Sequence, residues 1–591
     1  MVLTEEQEKI IQYPGNLKIN AVAGSGKTTT VIEYAKTRSL NSKILYLAFN
    51  KSVRMEAAKR FSDLGLNNVK IETAHSLAFK HIVIAKNYKI KTNGYKVSEM
   101  VPLLGIKGSG DRLGMYILAN HVLKFAGYFC NSTSSKVQEL NYLDIVSDPK
   151  AQFFVKNHYS IIEQYTRQFL SKMDKDEIEL IHDFYLKKFQ LSQPVLPYDY
   201  ILFDEGQDAS PAMLDVFFKQ SACKIIVGDM HQQIYSWRFA INSLDKAEYP
   251  ILHLTTSFRF KQEIADLAMS VLSLKSLLAP YIPIQITGSG KSKEQKSKAV
   301  LARTNLGLLI DAIKYLSDHP KVKRIYFEGN LSSYTYAEDG ASLYDVLNLY
   351  NYNHEKIRDP LIKSMKNLDD LEEYIEKTED MQLAMMVSLV KEYENEVYDI
   401  IRDLKEKQVG NDEREKAEVI FSTVHRCKGM EYDTVYLADD FITEKKIKSQ
   451  EAKIKESPSV FISKYNEEIN LLYVAITRTK HTLYIPEAML PAGFQPKGSI
   501  KTIGSKSGQP VYKDTFSKWE PDVKWKSSEI KKTGIKIELS NKEWNEEDDD
   551  ELYELLEEGW SISQIAEQLS RPRGDIRNRI KKFRTDGRLW F

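Results

Sequence analysis

Residues 16–30 read NLKINAVAGSGKTTT. The apolar stretch Asn16–Val22 predicts a strand, the glycines after it a tight turn, and Thr28–Arg38 a helix. Within this stretch AVAGSGKT (21–28) fits a phosphate-binding loop with alanine at its first position. In that geometry the backbone N–H groups of Gly24, Ser25 and Gly26 face a β-phosphate at a helix N-terminus. Ala23 and Thr29 flank the cradle, Lys27 is placed to neutralise β/γ oxygens, and the Thr28 hydroxyl to bind Mg²⁺.

Working outward, Lys43–Phe49 reads as a strand and Lys51–Phe61 as a helix, so the order is βαβα and a parallel sheet covered by helices is expected. Residues 85–195 are polar and mostly helical in period, Asp176–Phe189 being an example. The strand pattern resumes at Tyr200–Phe203, followed by DEGQD (204–208). There Asp204 is placed to hold the metal and Glu205 to orient and deprotonate a water. A further apolar run, Lys224–Val227, leads into GDMHQQIYSWRFA (228–240). In it the amide of Gln232 can sense a phosphate, while Tyr235 and Trp237, with Arg238 beside them, can hold a base. At most about 17 Å of chain separates Gln232 from Trp237.

A second α/β unit is expected from residue 260, with strands at Ala299–Arg303, Arg324–Phe327, Val419–Thr423, Thr434–Leu437 and Thr482–Ile485. It is interrupted by a helical stretch, 331–414, containing a long amphipathic run, Met381–Lys407. Gly, Lys and Ser dominate after residue 490. The chain has 591 residues, 83 basic and 82 acidic, and a net charge of +1, so any surface attracting nucleic acid must be local. The N-terminus lacks the apolar core of a signal peptide, and no run approaches a membrane span of about 18 residues. Three dispersed cysteines, Cys130, Cys223 and Cys427, fit neither a disulfide framework nor a zinc site, so a cytoplasmic setting, nucleoid-associated in a prokaryote, is expected.

The order of motifs resembles the superfamily 1 helicases of the UvrD/Rep type. The motifs are LTEEQ (3–7), AVAGSGKTTT (21–30), LAFNKS (47–52), TAHSLA (73–78), DEGQD (204–208), GDMHQQIYSWRFA (228–240), LTTSFR (254–259), TVHRCKGMEYD (423–433) and LLYVAITRTK (471–480). AFNKS, GDMHQQIY, LTTSFRF and YLADDF are most similar to the F-box DNA helicase branch, although no F-box is expected ahead of a core starting at residue 3.

The resemblance implies two RecA-like P-loop NTPase domains, 1A (1–84 and 196–259) and 2A (260–330 and 415–490). It further implies mainly helical insertions 1B (85–195) and 2B (331–414), with ATP between 1A and 2A. A linker with short strands (491–540) and a small all-α module (541–591) complete the expected layout. By position, Gln7 would read the adenine edge and Phe258 stack on its face. Gln232, Arg259 and Arg478 would meet the γ-phosphate, and Glu431 the ribose. Phe49, Asn50, Thr73, His75, Tyr235, Trp237, Arg238, Phe239, Thr423 and His425 would contact single-stranded DNA.

Several readings stay open. His425 fits a DNA contact or a buried structural histidine. Phe239, where the family has glycine, fits an apolar DNA contact or a gap filler. Arg426 stands where smaller residues are usual and fits an added phosphate contact. The tail, from Trp544, resembles a Myb-like or helix-turn-helix module whose third helix carries Arg573, Arg577, Arg579, Lys581 and Lys582; duplex binding and protein docking both fit. The implied activity is ATP-driven, 3′→5′ movement on single-stranded DNA and at single/double-strand junctions, in repair or recombination. The rival is a DNA-stimulated ATPase switch that recruits or remodels without unwinding.

Overall fold

The computed structural model describes residues 3–107, 112–236, 239–291, 296–329, 331–337, 340–450 and 458–504, with parts of 544–583. It divides into two compact units, 1–511 and 512–591.

The larger unit is built on two parallel six-stranded sheets. The first comprises β1 (Leu17–Ala21), β2 (Ile44–Ala48), β3 (Val69–Thr73), β4 (Tyr200–Phe203), β5 (Cys223–Gly228) and β6 (Ile251–Leu254), in the order β3-β2-β4-β5-β1-β6. Every residue of β2 is buried, as an interior strand covered on both faces requires. The central neighbours β4, β5 and β1 end in DEGQD, GDMHQ and the glycine loop respectively, so three adjacent C-terminal strand ends deliver their loops to one crevice. A two-stranded pair follows, β7 (Thr256–Ser257) with β8 (Thr287–Gly288). The second sheet comprises β9 (Lys298–Ala302), β10 (Ile325–Phe327), β11 (Val419–Thr423), β12 (Tyr432–Leu437), β13 (Thr479–Pro486) and β14 (Ile500–Ile503), in the order β10-β11-β9-β12-β13-β14. Its edge strand β14 lies beyond residue 490, where a linker with short strands was expected.

Helices 97–104, 112–131, 149–174 and 182–191 fall between β3 and β4. Their buried Phe125 and Phe169, with Tyr142 from the connection between them, share one apolar core with Leu45, Leu47 and Phe203 of the first sheet. The helix expected over Asp176–Phe189 starts only at His182, because Asp176 takes a left-handed conformation (φ 59°) that ends the preceding helix. The run Met381–Lys407, expected as one amphipathic stretch, is two helices, 381–393 and 396–407, broken at Glu394 (φ 47°).

The two helical insertions touch. Helix 368–378 ends against helix 112–131: His121 Nε2 donates to the Lys377 carbonyl at 2.9 Å, and the Lys124 ammonium donates to the Thr378 carbonyl. These carbonyls are among those a helix C-terminus leaves unsatisfied, and a cation there also complements the helix dipole. Glu379 accepts from Ser147 N at 2.8 Å, Ser147 Oγ at 2.7 Å and Asp148 N at 2.6 Å. Burial pushes His121 down to about 3, so it is neutral, with Nδ1 accepting from the Tyr142 hydroxyl at 2.9 Å.

In the smaller unit, helix 546–557 packs Leu552 and Leu555 against Ile565, Ile576, Ile580 and Phe583. Arg571 and Arg579 lie over the Trp544 ring at 4.3 and 5.5 Å. They pair with Asp548 at 2.7 Å and with Asp549 at 2.6 and 2.5 Å. Arg579, read from sequence as one of the basic residues of the third helix, is therefore partly buried and paired with the acidic first helix. Arg573, Arg577 and Lys581 lie outside the described residues. Among the described residues no helix is long and apolar enough to cross a membrane.

Candidate nucleotide and nucleic-acid site

The glycine loop turns from β1 into helix 27–36 through Gly24 (φ 75°) and Gly26 (φ 80°). A Cβ on Gly24 would stand 2.6 Å from Arg259 Cβ and 2.8 Å from Ser257 Oγ, so glycine lets the segment after β6 close over the loop. The Ser25 hydroxyl is buried with no hydrogen-bond partner, an orphan donor inside a loop whose N–H groups converge. That orphan fits an incoming phosphate.

Lys27 Nζ lies 3.0 Å from Glu205 Oε1. Burial pulls the Lys27 ammonium down, but Glu205, Asp229 and Asp204 outweigh it and hold it above the ordinary lysine value. Burial pushes Glu205 up, yet Lys27 and Lys428 overcome this and hold it ionised, well below the usual carboxylate range. Glu205 occupies a left-handed backbone conformation (φ 54°, ψ 42°), a strained geometry for a residue with a side chain and one found at functional turns. Asp204 is pushed up by burial, with the Glu205 charge adding to it. Its Oδ2 accepts from the buried Tyr46 hydroxyl and from Thr28 Oγ1 at 3.5 Å, and its Oδ1 from Glu205 N at 3.0 Å. A hydroxyl and a carboxylate side by side beneath the loop are a donor set that suits Mg²⁺, a hard cation.

Gln7 is buried; its Oε1 accepts from Thr4 N at 3.0 Å and its Nε2 donates to Thr30 Oγ1 at 3.0 Å, which leaves one N–H for a ligand edge. The Phe258 ring is 50% exposed. Arg259 Nε donates to Glu431 Oε2 at 2.8 Å and its Nη1 to the Thr477 carbonyl at 2.8 Å. Burial, with Arg478 beside it, lowers Arg259 to about 10, where it is still charged at neutral pH. Arg478 is buried and donates to Gln232 Oε1 at 3.3 Å. Lys27, Gln232, Arg259 and Arg478 thus lie around one crevice between the sheets.

The segment after β5 is bonded almost residue by residue to the second half of the unit. Asp229 Oδ2 accepts from Tyr473 OH at 2.9 Å, His231 Nδ1 from Lys275 Nζ at 3.0 Å, and the Gln232 carbonyl from Lys428 Nζ at 2.6 Å. The Gln233 carbonyl accepts from Asn470 Nδ2 at 2.9 Å, and the Ile234 carbonyl from His425 Nε2 at 3.0 Å. Tyr235 OH donates to the His425 carbonyl at 2.8 Å. Ser236 N donates to Glu467 Oε1 at 3.1 Å, and Ser236 Oγ to Glu467 Oε2. Lys428 also pairs with the buried Asp208.

The residues expected on the nucleic-acid face have varied surroundings. Phe49 and Tyr235 stack with centroids 5.6 Å apart. Asn50 and Thr73 are helix N-caps, accepting from Val53 N at 2.9 Å and Ser76 N at 3.0 Å. His75 Nε2 lies 3.9 Å from Asp183, and Thr423 is buried. His425 is lowered to about 4 by burial; neutral and bonded to Ile234, it has the surroundings of a structural histidine. Phe239 (φ 61°) stacks on Tyr128 of the first insertion at 5.6 Å, and Arg426 lies over the Tyr334 ring at 4.7 Å. Trp237 and Arg238 lie outside the described residues.

Sequence reasoning missed Tyr46, Lys428, Glu467, Asn470 and Tyr473. Tyr46 left one signal, a hydroxyl inside the otherwise apolar strand ILYLA, where a buried phenol needs a partner.

The family profile described as the UvrD-like helicase C-terminal domain matches residues 119–488. F-box DNA helicase 1 of Gallus gallus is 29% identical over 522 residues, which cover 82% of this chain and 49% of that protein. F-box DNA helicase protein 1 of Schizosaccharomyces pombe is 30% identical over 537 residues, covering 82% and 58%. ATP-dependent DNA helicase PcrA of Leuconostoc citreum is 25% identical over 299 residues, covering 46% and 38%. The chain spans about half the length of the curated relatives it matches.

Proposed function

The chain belongs to the UvrD-like helicase family, and from that premise we propose that it is an ATP-driven motor moving 3′→5′ on single-stranded DNA and separating strands. The observation that carries the reading is the convergence of Arg259, Arg478 and Gln232 on the crevice that holds Lys27 and the ionised Glu205. Phosphoryl transfer to water leaves a protein little to do beyond positioning and charge stabilisation. The glycine loop and Lys27 take the β- and γ-phosphates, so Lys27 gives up its present contact with Glu205. Glu205 then orients the attacking water and accepts its proton. Thr28 and Asp204 would hold Mg²⁺, which supplies neutralisation of phosphate charge when bound. Arg259, from the segment after β7, and Arg478, from the end of helix 458–476, stabilise the charge on the transferred group. Phe258 stacks on the adenine and Gln7 reads its edge.

On the nucleic-acid side, Tyr235 and Phe49, with Trp237 and Arg238, form the proposed base-holding surface. One base on an aromatic contributes about 1–3 kcal/mol. The names of the relatives, DNA helicases of chicken, fission yeast and a bacterium, support DNA as the track, and repair or recombination is the proposed setting.

The test is ATP turnover with and without single-stranded DNA, together with strand displacement on 3′-tailed and 5′-tailed duplexes. Stimulated turnover and displacement of the 3′-tailed substrate alone are expected. Stimulated turnover with no displacement of either would leave a DNA-stimulated ATPase switch instead.

A further inference from the structure

Helix 458–476 lies alongside the segment that follows β5. Tyr473 bonds Asp229, Asn470 bonds Gln233 and Glu467 bonds Ser236, so contacts at three-residue intervals define one face of the helix. From Glu467 to Tyr473 the helix advances about 9 Å. Arg478, the arginine that reaches Gln232, follows just after its C-terminal end, while Glu467 meets the chain immediately before Trp237. One rigid element therefore touches the phosphate-sensing residue at one end and the base-holding loop at the other.

The helix is fixed to its own sheet. Arg303, at the end of β9, pairs with Glu468 through both Nε and Nη2, next to Glu467. Glu467 cannot follow Ser236 without carrying the second sheet along. Its carboxylate accepts from the Ser236 backbone at 3.1 Å and from the Ser236 hydroxyl, a two-point grip that fixes orientation as well as position. The far side of the loop is held by Phe239 on Tyr128, and its neck by Gln233 Nε2 donating to the Ala240 carbonyl at 3.1 Å. From the second sheet's side, His425 and Asn470 hold the start of the segment, at Ile234, Tyr235 and Gln233, and Glu467 holds Ser236, the residue next to Trp237. A displacement of that sheet on nucleotide binding is thus passed to the part of the loop beside Trp237 through this carboxylate.

We propose that Glu467 is the positioning residue that makes the affinity for single-stranded DNA depend on the nucleotide state, by carrying the movement of the Arg478-bearing helix to Ser236 and the aromatic loop. The inference rests on the motor reading above and adds a coupling residue to it.

The test measures affinity of the full chain for a fluorescent oligodeoxythymidine by anisotropy, without nucleotide and with a non-hydrolysable ATP analogue and Mg²⁺. Coupling between two sites is typically about 5–150-fold in affinity, so the wild type is expected to show a ratio in that range. Glu467→Ala is expected to shrink the ratio to about 2-fold or less, below that range, while analogue affinity and melting temperature stay near wild type. Ser236→Ala, which keeps the backbone N–H contact, is expected to give an intermediate ratio and serves if Glu467→Ala folds poorly. A full wild-type ratio in folded Glu467→Ala, or in Ser236→Ala where only that variant folds, overturns the inference and leaves the motor reading standing. A wild type that binds no single-stranded DNA, or binds it equally in both states, overturns both.

Discussion

Two joints hold the larger unit together, and they are made differently. At the crevice, segment 229–236 meets the second sheet at a bond whose partner a nucleotide can replace, Gln232 accepting from Arg478 at 3.3 Å, and beside it Lys27 rests on Glu205 within the first half. At the insertions, helix 368–378 is capped by His121 and Lys124, and Glu379 takes three donors. No phosphate competes for those carbonyls, and breaking the contact would leave the buried His121 without its partner. The first joint is built to exchange partners and the second to keep them.

The largest expected effect tests the exchangeable joint. Lys27→Ala should abolish ATP turnover, and DNA-stimulated hydrolysis surviving in that variant would overturn the site assignment. Arg478→Ala comes next, with turnover down by about 10³-fold, the lower end for an arginine acting across a cleft. A loss of under about 10-fold would make Arg478 a structural residue that caps Val474 and Met430. The permanent joint should behave in the opposite way. Glu379→Ala should lower protection of helix 368–378 in amide exchange by roughly 1 kcal/mol, about 5-fold, because three partly solvated donors lose their acceptor. DNA-stimulated turnover should stay within about 3-fold, since no residue that meets phosphate is touched. Turnover falling with exchange would show that the joints are coupled.

The smallest expected effect is in pH. The pKa of His121 in the fold, about 3, lies below the ordinary 6.5, so its contribution is complete above pH about 6.5 and is lost as pH falls from there toward 3. Amide exchange of helix 368–378 should therefore quicken between pH 6.5 and 5 after correction for intrinsic rates. His121→Gln, which keeps a donor for the Lys377 carbonyl, should flatten that dependence. An unchanged slope in His121→Gln would assign it to other groups.

The crevice was legible in sequence because its parts are local. The glycine loop, DEGQD and GDMHQ each follow a strand directly, and β4 and β11 run over the residues expected, Tyr200–Phe203 and Val419–Thr423. What remained hidden depends on juxtaposition. Tyr46 reaches Asp204 across 158 positions, Lys428 reaches Asp208 across 220, and Glu467 reaches Ser236 across 231, with no periodicity to announce any of them. Helix ends were misjudged where one backbone conformation overrode a continuous pattern, at Asp176 and Glu394. The joint between the insertions left no trace, since His121, Lys124 and Glu379 are ordinary residues until two distant helices meet.

Phe239 carries a consequence for inheritance. A side chain at φ 61° costs about 1–2 kcal/mol over glycine. An aromatic pair returns about 0.5–1.5 kcal/mol beyond the area it buries, here through Tyr128. Glycine and a stacked aromatic are thus near-equal optima, while alanine, serine or valine would bear the cost without the return. The genetic code offers no single-base route from a glycine codon to a phenylalanine codon, so any lineage crossing between them passes through a worse residue. Descendants should therefore hold one state for long periods, and position 128 should be aromatic in those that hold phenylalanine at 239 and free to drift in those that hold glycine.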